Sequence, residues 1–241
     1  MPEPARLGTL LPHRRPTPVA DLPVAKPGEC PEHPGNNATF CSPCASERKA
    51  ANPNARAEMR AERVRQDCDR RFPRRFRDAQ ADHPGVLAWI DQAVADPDNA
   101  PSLLLLGPVG TGKTHQAYGA LRALAPEVTG REWIATTSPD LFASLRPRPG
   151  ADMEADFARY RQASILLVDD LGAAKNTEWV EEITYRLIDG RYLDMRPSIF
   201  TTNSTPAELR DHLGDRIASR LAQICTPIVL DGPDRRRTSA A

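Results

Sequence analysis

Residues 103–114, LLLLGPVGTGKT, constrain the fold more than any other stretch of this chain. Four consecutive leucines predict a short strand that is buried on both faces. The residues after them match the spacing G-x-x-x-x-G-K-[ST], in which backbone N–H groups line one concavity that binds a polyphosphate. Residues 113–124 then suit a helix. A strand, a glycine-rich loop and a helix in this order predict a site for a nucleoside triphosphate.

Each residue of this loop has an expected place around the phosphates. We expect Lys113 to reach the β- and γ-phosphates and the Thr114 hydroxyl to hold Mg²⁺. The predicted nucleotide-binding residues are Gly107, Pro108, Val109, Gly110, Thr111, Gly112, Lys113 and Thr114.

Acidic residues follow a second apolar run, Ile165–Val168. We expect Asp169 to hold Mg²⁺ with Thr114, directly or through water, and Asp170 to orient or deprotonate the attacking water. An acidic turn after a strand is common, so this prediction depends on the phosphate loop about 55 residues upstream. Asn203 ends a further apolar strand and is the candidate to position the same water, the alternative being an ordinary turn asparagine.

Arginines near the end of the chain are candidates to stabilise the transferred phosphoryl group. Arg216 and Arg220 lie four residues apart, which puts them on one face of a helix. Such an arginine acts only if it reaches the γ-phosphate, often from a neighbouring subunit. The alternative is a pair of surface arginines. The run 235–237 either supplies another phosphate contact or forms a basic tail.

Apolar strands alternate with helices over the second half of the chain, which predicts an α/β fold with a doubly wound five-stranded parallel sheet. The predicted strands are 103–106, 132–137, 165–168, 198–202 and 227–230. The predicted helices are 86–95, 113–124, 138–145 with Ser138 as its cap, 153–162, 178–194, one through residue 213 that starts at a Thr205–Glu208 capping box, and 214–224.

The first 80 residues predict three different segments. Residues 1–28 contain seven prolines and predict a disordered tail, or alternatively a partner-binding arm. Residues 47–80 are arginine-rich and favour a helix that is either a solvated face or a contact with a nucleic-acid backbone or an acidic partner. Residues 81–241 are left for the nucleotide-binding domain.

Residues 29–46 contain two closely spaced ligand pairs in the pattern C-x₂-H-x₇-C-x₂-C. Cys30, His33, Cys41 and Cys44 supply the ligands of a tetrahedral Zn²⁺ site, and a segment this short needs a metal to fold. A disulfide with a stray histidine, or unrelated thiols, are the alternatives. Cys68 and Cys225 have no other cysteine or ligand pair nearby in the sequence, and we expect each to be a packed or free thiol.

Apolar runs in the chain all fall short of the roughly 18–20 residues that a membrane span needs. Arg14 and Arg15 are not followed by a hydrophobic region, which argues against a secretory signal. We therefore expect a cytoplasmic protein with no membrane partner.

The order of these motifs resembles the AAA+ ATPases, and within them the helicase-loader and transposition-helper group of the DnaC and IstB types. The resemblance is carried by residues 107–114, 165–172, 199–203 and 214–221, and covers roughly residues 72–237. It implies ATP as the nucleotide and an AAA+ domain without a C-terminal lid, since eleven residues follow the fifth predicted strand.

The resemblance also assigns roles to the candidate residues. Lys113 and Thr114 match the Walker A motif, Asp169 and Asp170 match Walker B, and Asn203 matches sensor 1. Arg220 matches the arginine finger, with Arg216 as the second candidate, and Arg236 loosely matches sensor 2. Asp170 departs from the glutamate that many AAA+ proteins carry, which suggests slow hydrolysis stimulated by DNA or a partner.

The function implied is a DNA-replication accessory ATPase that binds a replicative helicase, loads it onto single-stranded DNA and self-associates through an arginine finger in trans. The first alternative is an IstB-like helper that regulates a transposase on duplex DNA. A small-molecule kinase and a nucleotide-gated interaction protein without appreciable hydrolysis are further alternatives.

Overall fold

The computed structural model describes residues 27–33, 35–37, 41–44, 55–127 and 132–235. The chain divides into two units, residues 1–56 and 57–241. Most of the predicted proline-rich tail and residues 47–54 of the arginine-rich region lie outside the described residues.

The second unit contains a five-stranded sheet whose strands all pair in parallel. The strands are β1 Ser102–Leu106, β2 Ile134–Thr137, β3 Leu166–Asp169, β4 Ser198–Thr202 and β5 Cys225–Val229. They lie side by side in the order β2-β3-β4-β1-β5. The predicted α/β class and the parallel five-stranded sheet are therefore confirmed.

Two helices precede the first strand, the others follow or connect the strands, and together they cover both faces of the sheet. They are α1 Ala55–Arg71, α2 Pro84–Ala95, α3 Lys113–Leu124, α4 Ser138–Leu145, α5 Met153–Gln162, α6 Glu178–Leu193, α7 Pro206–Leu213 and α8 Asp215–Ile224. A short 3₁₀ turn, Arg74–Phe76, follows α1. None of the helices in the described ranges is long and apolar enough to cross a membrane.

Local hydrogen bonds place several element boundaries differently from the prediction. Thr137, not Ser138, caps α4, because the Thr137 hydroxyl accepts the backbone N–H of Asp140 at 3.2 Å. β5 begins at Cys225, which lies opposite Ser102 of β1, two residues before the predicted start. The capping box between Thr205 and Glu208 is present as predicted.

The four consecutive leucines of β1 alternate between two buried layers, as a strand with period two requires. Leu103 and Leu105 pack on the side of α1, α2 and α3, with Trp89 and Leu121. The other two leucines pack on the side of α4 to α8, with Phe200 among their neighbours. Burial on both sides explains why this strand is an unbroken apolar run.

The sheet order also determines where the functional residues meet. β1 lies between β4 and β5, and β3 lies beside β4. Since the carboxyl ends of parallel strands share one edge, the phosphate loop after β1, the aspartates that end β3 and Asn203 after β4 converge there.

Arg191 on α6 is almost fully buried at 1% exposure, and its guanidinium is held by neutral oxygens. Its guanidinium donates hydrogen bonds of 2.6–3.0 Å to five oxygens, namely the carbonyls of Tyr160, Arg161, Ala163 and Pro197 and the hydroxyl of Ser198. Burial lowers the pKa of Arg191 to about 9, so the guanidinium stays charged at neutral pH. Arg191 thus ties the end of α5 to the start of β4.

Replacing Arg191 with methionine is expected to destabilise the fold by about 3–5 kcal/mol, because buried acceptors lose their donors. A chain of this size then loses roughly 6–20 °C in Tm, measured by thermal unfolding. Arg186→Met on the same helix is the control, since Arg186 makes an exposed pair with Glu154 that is worth under about 1 kcal/mol. Equal losses for the two variants would contradict the role of Arg191.

Candidate functional site

A cavity of about 520 Å³ opens beside the phosphate loop and is of the size that small-molecule sites have. Its lining combines backbone of the loop with polar and charged side chains from the neighbouring strand ends. The lining residues are Arg75, Phe76, Val109, Gly110, Gly112, Lys113, Thr114, His115, Asp170, Asn203 and Arg235.

The loop glycines are required by both backbone conformation and space. Gly107, Gly110 and Gly112 all have φ between +91° and +143°. A Cβ on Gly107 would lie 2.2 Å from the carbonyl oxygen of Leu230, and one on Gly110 would lie 2.2 Å from the Asp234 carboxylate. The loop therefore keeps the open curl that turns N–H groups toward a polyphosphate.

Lys113 begins α3 directly behind this curl, and its side chain is buried. Its ammonium donates hydrogen bonds of 2.7 Å to the carbonyls of Gly107 and Pro108. The Thr111 hydroxyl also donates to the Pro108 carbonyl, at 3.0 Å. The lysine thus places a positive charge within the loop that is predicted to bind phosphates.

Asp169 brings the end of β3 against the start of α3. Its carboxylate accepts hydrogen bonds from the Thr114 hydroxyl at 3.0 and 3.2 Å, and from the Thr201 hydroxyl at 2.6 Å. Burial raises the pKa of Asp169 despite these two donors. A buried carboxylate beside a hydroxyl is a ligand set that fits Mg²⁺, whose charge offsets the cost of burial.

Asp170 and Asn203 lie together on the cavity wall. The Asn203 side-chain amide donates to the Asp170 carboxylate at 3.2 Å. Asp170 has a φ of +54°, an uncommon conformation for a residue with a side chain, and its N–H donates to the Thr201 hydroxyl at 2.9 Å. The two residues predicted to handle the attacking water therefore share one hydrogen-bonded group.

The two candidate finger arginines do not line this cavity. Arg220 on α8 pairs with Asp189 at 2.7 Å, donates to Gln223 at 2.8 Å and lies 4.6 Å above the Tyr192 ring. Arg216 is exposed, and the two arginines share a surface depression on α8. Neither arginine therefore contributes to the cavity beside the phosphate loop of its own chain.

A C-terminal segment, residues 230–235, runs along the phosphate loop. Leu230 donates its N–H to the Leu106 carbonyl at 2.8 Å, and Arg235 donates its N–H to the Gly110 carbonyl at 2.9 Å. The Arg235 guanidinium lines the cavity and pairs with Asp82 at 3.3 Å. Arg236, the residue predicted for this position, lies outside the described residues.

Sequence reasoning missed several of the residues around the cavity. Thr201 carried no signal beyond its place in an apolar strand, and Arg235 could not be separated from the arginines that follow it. Phe76 stacks on Tyr118 with ring centroids 4.9 Å apart, an arrangement that depends on the path of the chain before β1. His115 directly follows the phosphate-loop motif, so among these residues its place at the cavity could have been predicted from its position in the sequence.

The first unit holds a separate group of candidate ligands. One ligand atom from each of Cys30, His33, Cys41 and Cys44 lies within 4.8 Å of the others, and the three cysteines are buried. Burial opposes ionisation of the Cys30 thiol, but hydrogen bonds with Cys44 and His33 outweigh it and lower the pKa of Cys30 to about 6. All five cysteines are free thiols in this structure.

Residues 44–227, about three quarters of the chain, match the family model of the IstB-like ATP binding proteins. The chain belongs to the IstB-like ATP-binding protein family. Its fold resembles the crystal structure of the DnaC helicase loader with a TM-score of 0.58 at 23% identity, covering 66% of this chain and 100% of that one. The structure of DnaI gives the same TM-score and identity, covering 69% and 95%. This IstB-like chain therefore shares the fold of those two proteins.

Curated relatives of this IstB-like chain fall into two functional groups. It is 27% identical over 150 residues to the replicative helicase loader DnaI of Bacillus subtilis, covering 56% of this chain and 47% of that protein. It is 25% identical over 126 residues to the loader DnaC of Escherichia coli, covering 51% of each. It is 26% identical over 186 residues to the ATP-binding protein Rv3427c of a Mycobacterium tuberculosis insertion sequence, covering 75% of this chain and 71% of that protein.

The chain thus spans about half the length of the helicase loaders that it matches. ATP binding is common to the family. The two groups of relatives differ in their names, which are replicative helicase loader for DnaI and DnaC and ATP-binding protein in an insertion sequence for Rv3427c.

Proposed function

We propose that this chain is an ATPase that binds a replicative helicase and loads it onto single-stranded DNA, with ATP binding and hydrolysis as the switch. One observation carries the ATPase part, namely the continuous hydrogen-bonded group that joins Thr114, Asp169, Thr201, Asp170 and Asn203 beside the buried ammonium of Lys113. The helicase loaders among the relatives support the loading part.

The proposed reaction is attack of water on the γ-phosphate of ATP, which breaks the bond to the β–γ bridging oxygen and releases ADP and inorganic phosphate. Lys113 exchanges its carbonyl partners for phosphate oxygens, and the loop N–H groups bind the remaining charge. Thr114 and Asp169 would hold Mg²⁺, which when bound would neutralise charge on the phosphates. The Asp170 carboxylate, oriented by the Asn203 amide, accepts a hydrogen bond from the attacking water and takes its proton.

We propose Arg235, in place of Arg236, as a phosphate contact in addition to Lys113 and the loop N–H groups. Its guanidinium lies against Gly112, where a Cβ would be 3.3 Å from the Arg235 side chain. A bound polyphosphate competes with Asp82 for this guanidinium, so nucleotide binding and the position of the C-terminal segment are coupled in this proposal.

Arg220 is the proposed arginine finger, which acts on the nucleotide of a neighbouring subunit. Arg220→Ala is expected to leave ATP affinity within about twofold and to lower hydrolysis at least about tenfold at protein concentrations that favour self-association. Arg216→Ala is measured in parallel, because Arg216 is the more exposed of the two. Arg210→Ala, which removes an exposed pair with Asp215, is the control. Unchanged hydrolysis in both finger variants at high concentration would contradict an arginine acting in trans.

The cysteine–histidine cluster is the proposed site of one structural Zn²⁺, since three thiolates and one imidazole form a common tetrahedral set. We expect about one zinc per chain by elemental analysis, and loss of that zinc in the double variant Cys41→Ser, Cys44→Ser. Burial raises the pKa of Cys68 to about 11, so Cys68→Ser is the matched control and keeps the zinc. A metal-free protein whose first unit is folded would contradict the proposal.

Regulation of a transposase on duplex DNA is the second candidate, favoured by the insertion-sequence relative, which the chain covers to 71%. The two candidates differ in the DNA that should stimulate hydrolysis. The experiment measures ATP hydrolysis with single-stranded DNA and with duplex DNA of the same length and sequence. Stronger stimulation by single strands supports the loader, and stronger stimulation by duplex supports the transposition helper.

A further inference from the structure

Thr201 on β4 contacts three successive residues at the end of β3. Its hydroxyl donates to the Asp169 carboxylate at 2.6 Å and accepts the Asp170 N–H at 2.9 Å. Its carbonyl accepts the Leu171 N–H at 2.7 Å. The side chain is fully buried, with an exposed fraction of 0%. These contacts begin just beyond Val168 and Phe200, the last paired residues of the β3–β4 ladder.

The direction of the Thr201 hydroxyl hydrogen follows from its partners. A hydroxyl carries one hydrogen, and the Asp170 N–H can only donate. The hydrogen is therefore directed at Asp169, whose Oδ1 atom accepts it. This bond orients the carboxylate so that the Thr114 hydroxyl, the other group expected at the metal, lies 3.0 Å from Oδ1 and 3.2 Å from Oδ2.

The same hydroxyl holds Asp170 in its uncommon conformation. A positive φ costs a residue with a side chain on the order of 1–2 kcal/mol, so it persists only where neighbouring contacts maintain it. The hydrogen bond from the Asp170 N–H to Thr201 is such a contact, and it lies one bond from the φ rotation itself. Without it, relaxation of Asp170 would carry its carboxylate away from Asn203.

We propose that Thr201 is a positioning residue that orients both aspartates, Asp169 toward the metal and Asp170 toward the attacking water. The inference rests on the proposed ATPase function. Thr201 acts through the two carboxylates, so losing its hydroxyl should weaken metal-dependent steps and leave metal-independent nucleotide binding unchanged. Removal of residues that orient metal ligands typically costs about 10–100-fold in metal affinity or activity.

The test compares Thr201→Val, which has nearly the same shape without the hydroxyl, with Thr201→Ser, which keeps the hydroxyl. Thr202→Val is the matched control, because Thr202 is the next residue, equally buried, and its hydroxyl donates to the Leu171 carbonyl instead of an aspartate. The readouts are the affinity for a fluorescent ATP analogue in EDTA, the Mg²⁺ concentration that gives half-maximal enhancement of that affinity, and the hydrolysis rate.

We expect Thr201→Val to raise the half-maximal Mg²⁺ concentration and to lower hydrolysis, each about tenfold or more, with affinity in EDTA within about twofold. Thr201→Ser should recover most of both losses, and Thr202→Val should stay within about twofold of wild type. Unchanged Mg²⁺ dependence in Thr201→Val, or an equal loss in Thr202→Val, would overturn the inference. If Thr201→Val does not fold, Thr201→Ala is compared with Thr202→Ala. The half-maximal Mg²⁺ concentration, the hydrolysis rate and the affinity in EDTA are then measured relative to wild type with the same expected fold-changes.

Failure of the inference and failure of the proposed function give different results. A wild-type protein that hydrolyses no ATP with either DNA or with a helicase would refute the ATPase proposal. The Mg²⁺ dependence of nucleotide affinity would still decide the role of Thr201 toward Asp169.

Discussion

Lys113→Ala is expected to abolish ATP binding, with affinity falling at least about 100-fold. The wild-type ammonium is buried in the phosphate loop and makes charge-assisted hydrogen bonds, which the neutral backbone groups of the loop cannot replace. Each hydrogen bond to a charged group contributes about 1.5–3 kcal/mol, so loss of two or more accounts for this factor. Isothermal titration calorimetry with ATP and Mg²⁺ measures the change.

Lys175→Ala is the control for this experiment, because Lys175 is an exposed lysine that does not line the cavity. Its ATP affinity should equal that of the wild type. Circular dichroism should show that Lys113→Ala keeps its secondary structure, since Gly107 and Pro108, whose carbonyls lose the ammonium, are not buried. Micromolar affinity in a folded Lys113→Ala protein would refute the assignment of the loop.

Asp170→Asn is expected to bind ATP with near wild-type affinity and to lower hydrolysis by about 10²–10⁴-fold. An amide of the same size cannot take a proton from water, yet it can still accept the hydrogen bond from Asn203. Single-turnover hydrolysis with radiolabelled ATP measures the chemical step separately from product release.

Asp211→Asn, a substitution at an exposed site on α7, provides the matched control and should hydrolyse ATP at the wild-type rate. Hydrolysis by Asp170→Asn within about threefold of wild type would contradict the role of Asp170 as the base, given the usual size of such contributions.

Much of the fold could be predicted because the sheet is buried on both faces. Strands of this kind read as unbroken apolar runs, as 103–106 and 165–168 do, and their alternation with helices indicates a parallel sheet. Helix ends were less predictable. Both Thr137 and Ser138 suit an N-cap, and the choice depends on which hydroxyl reaches the Asp140 N–H.

The cavity could be predicted in outline for a related reason. Asp170 and Asn203 directly follow strand ends, Lys113 follows the loop after β1, and parallel strands bring those ends together.

Residues whose roles depend on contacts between distant segments carried no such signal. Arg191 reads as one arginine among many, and only the fold surrounds it with five acceptor oxygens. Thr201 reads as a strand residue, and only the pairing of β3 with β4 sets its hydroxyl between two aspartates. Arg220 was assigned by its motif, which does not reveal its pair with Asp189.

Helicase loading is tested most directly by co-elution of this protein with the replicative helicase of the same genome, in the presence of ATP and of ADP. We predict a complex whose stability differs between ATP and ADP. The Lys113→Ala variant should not show this difference, because it lacks the lysine that binds the phosphates of both nucleotides. A helicase that elutes separately in both nucleotides would contradict the loader function and favour the transposition helper.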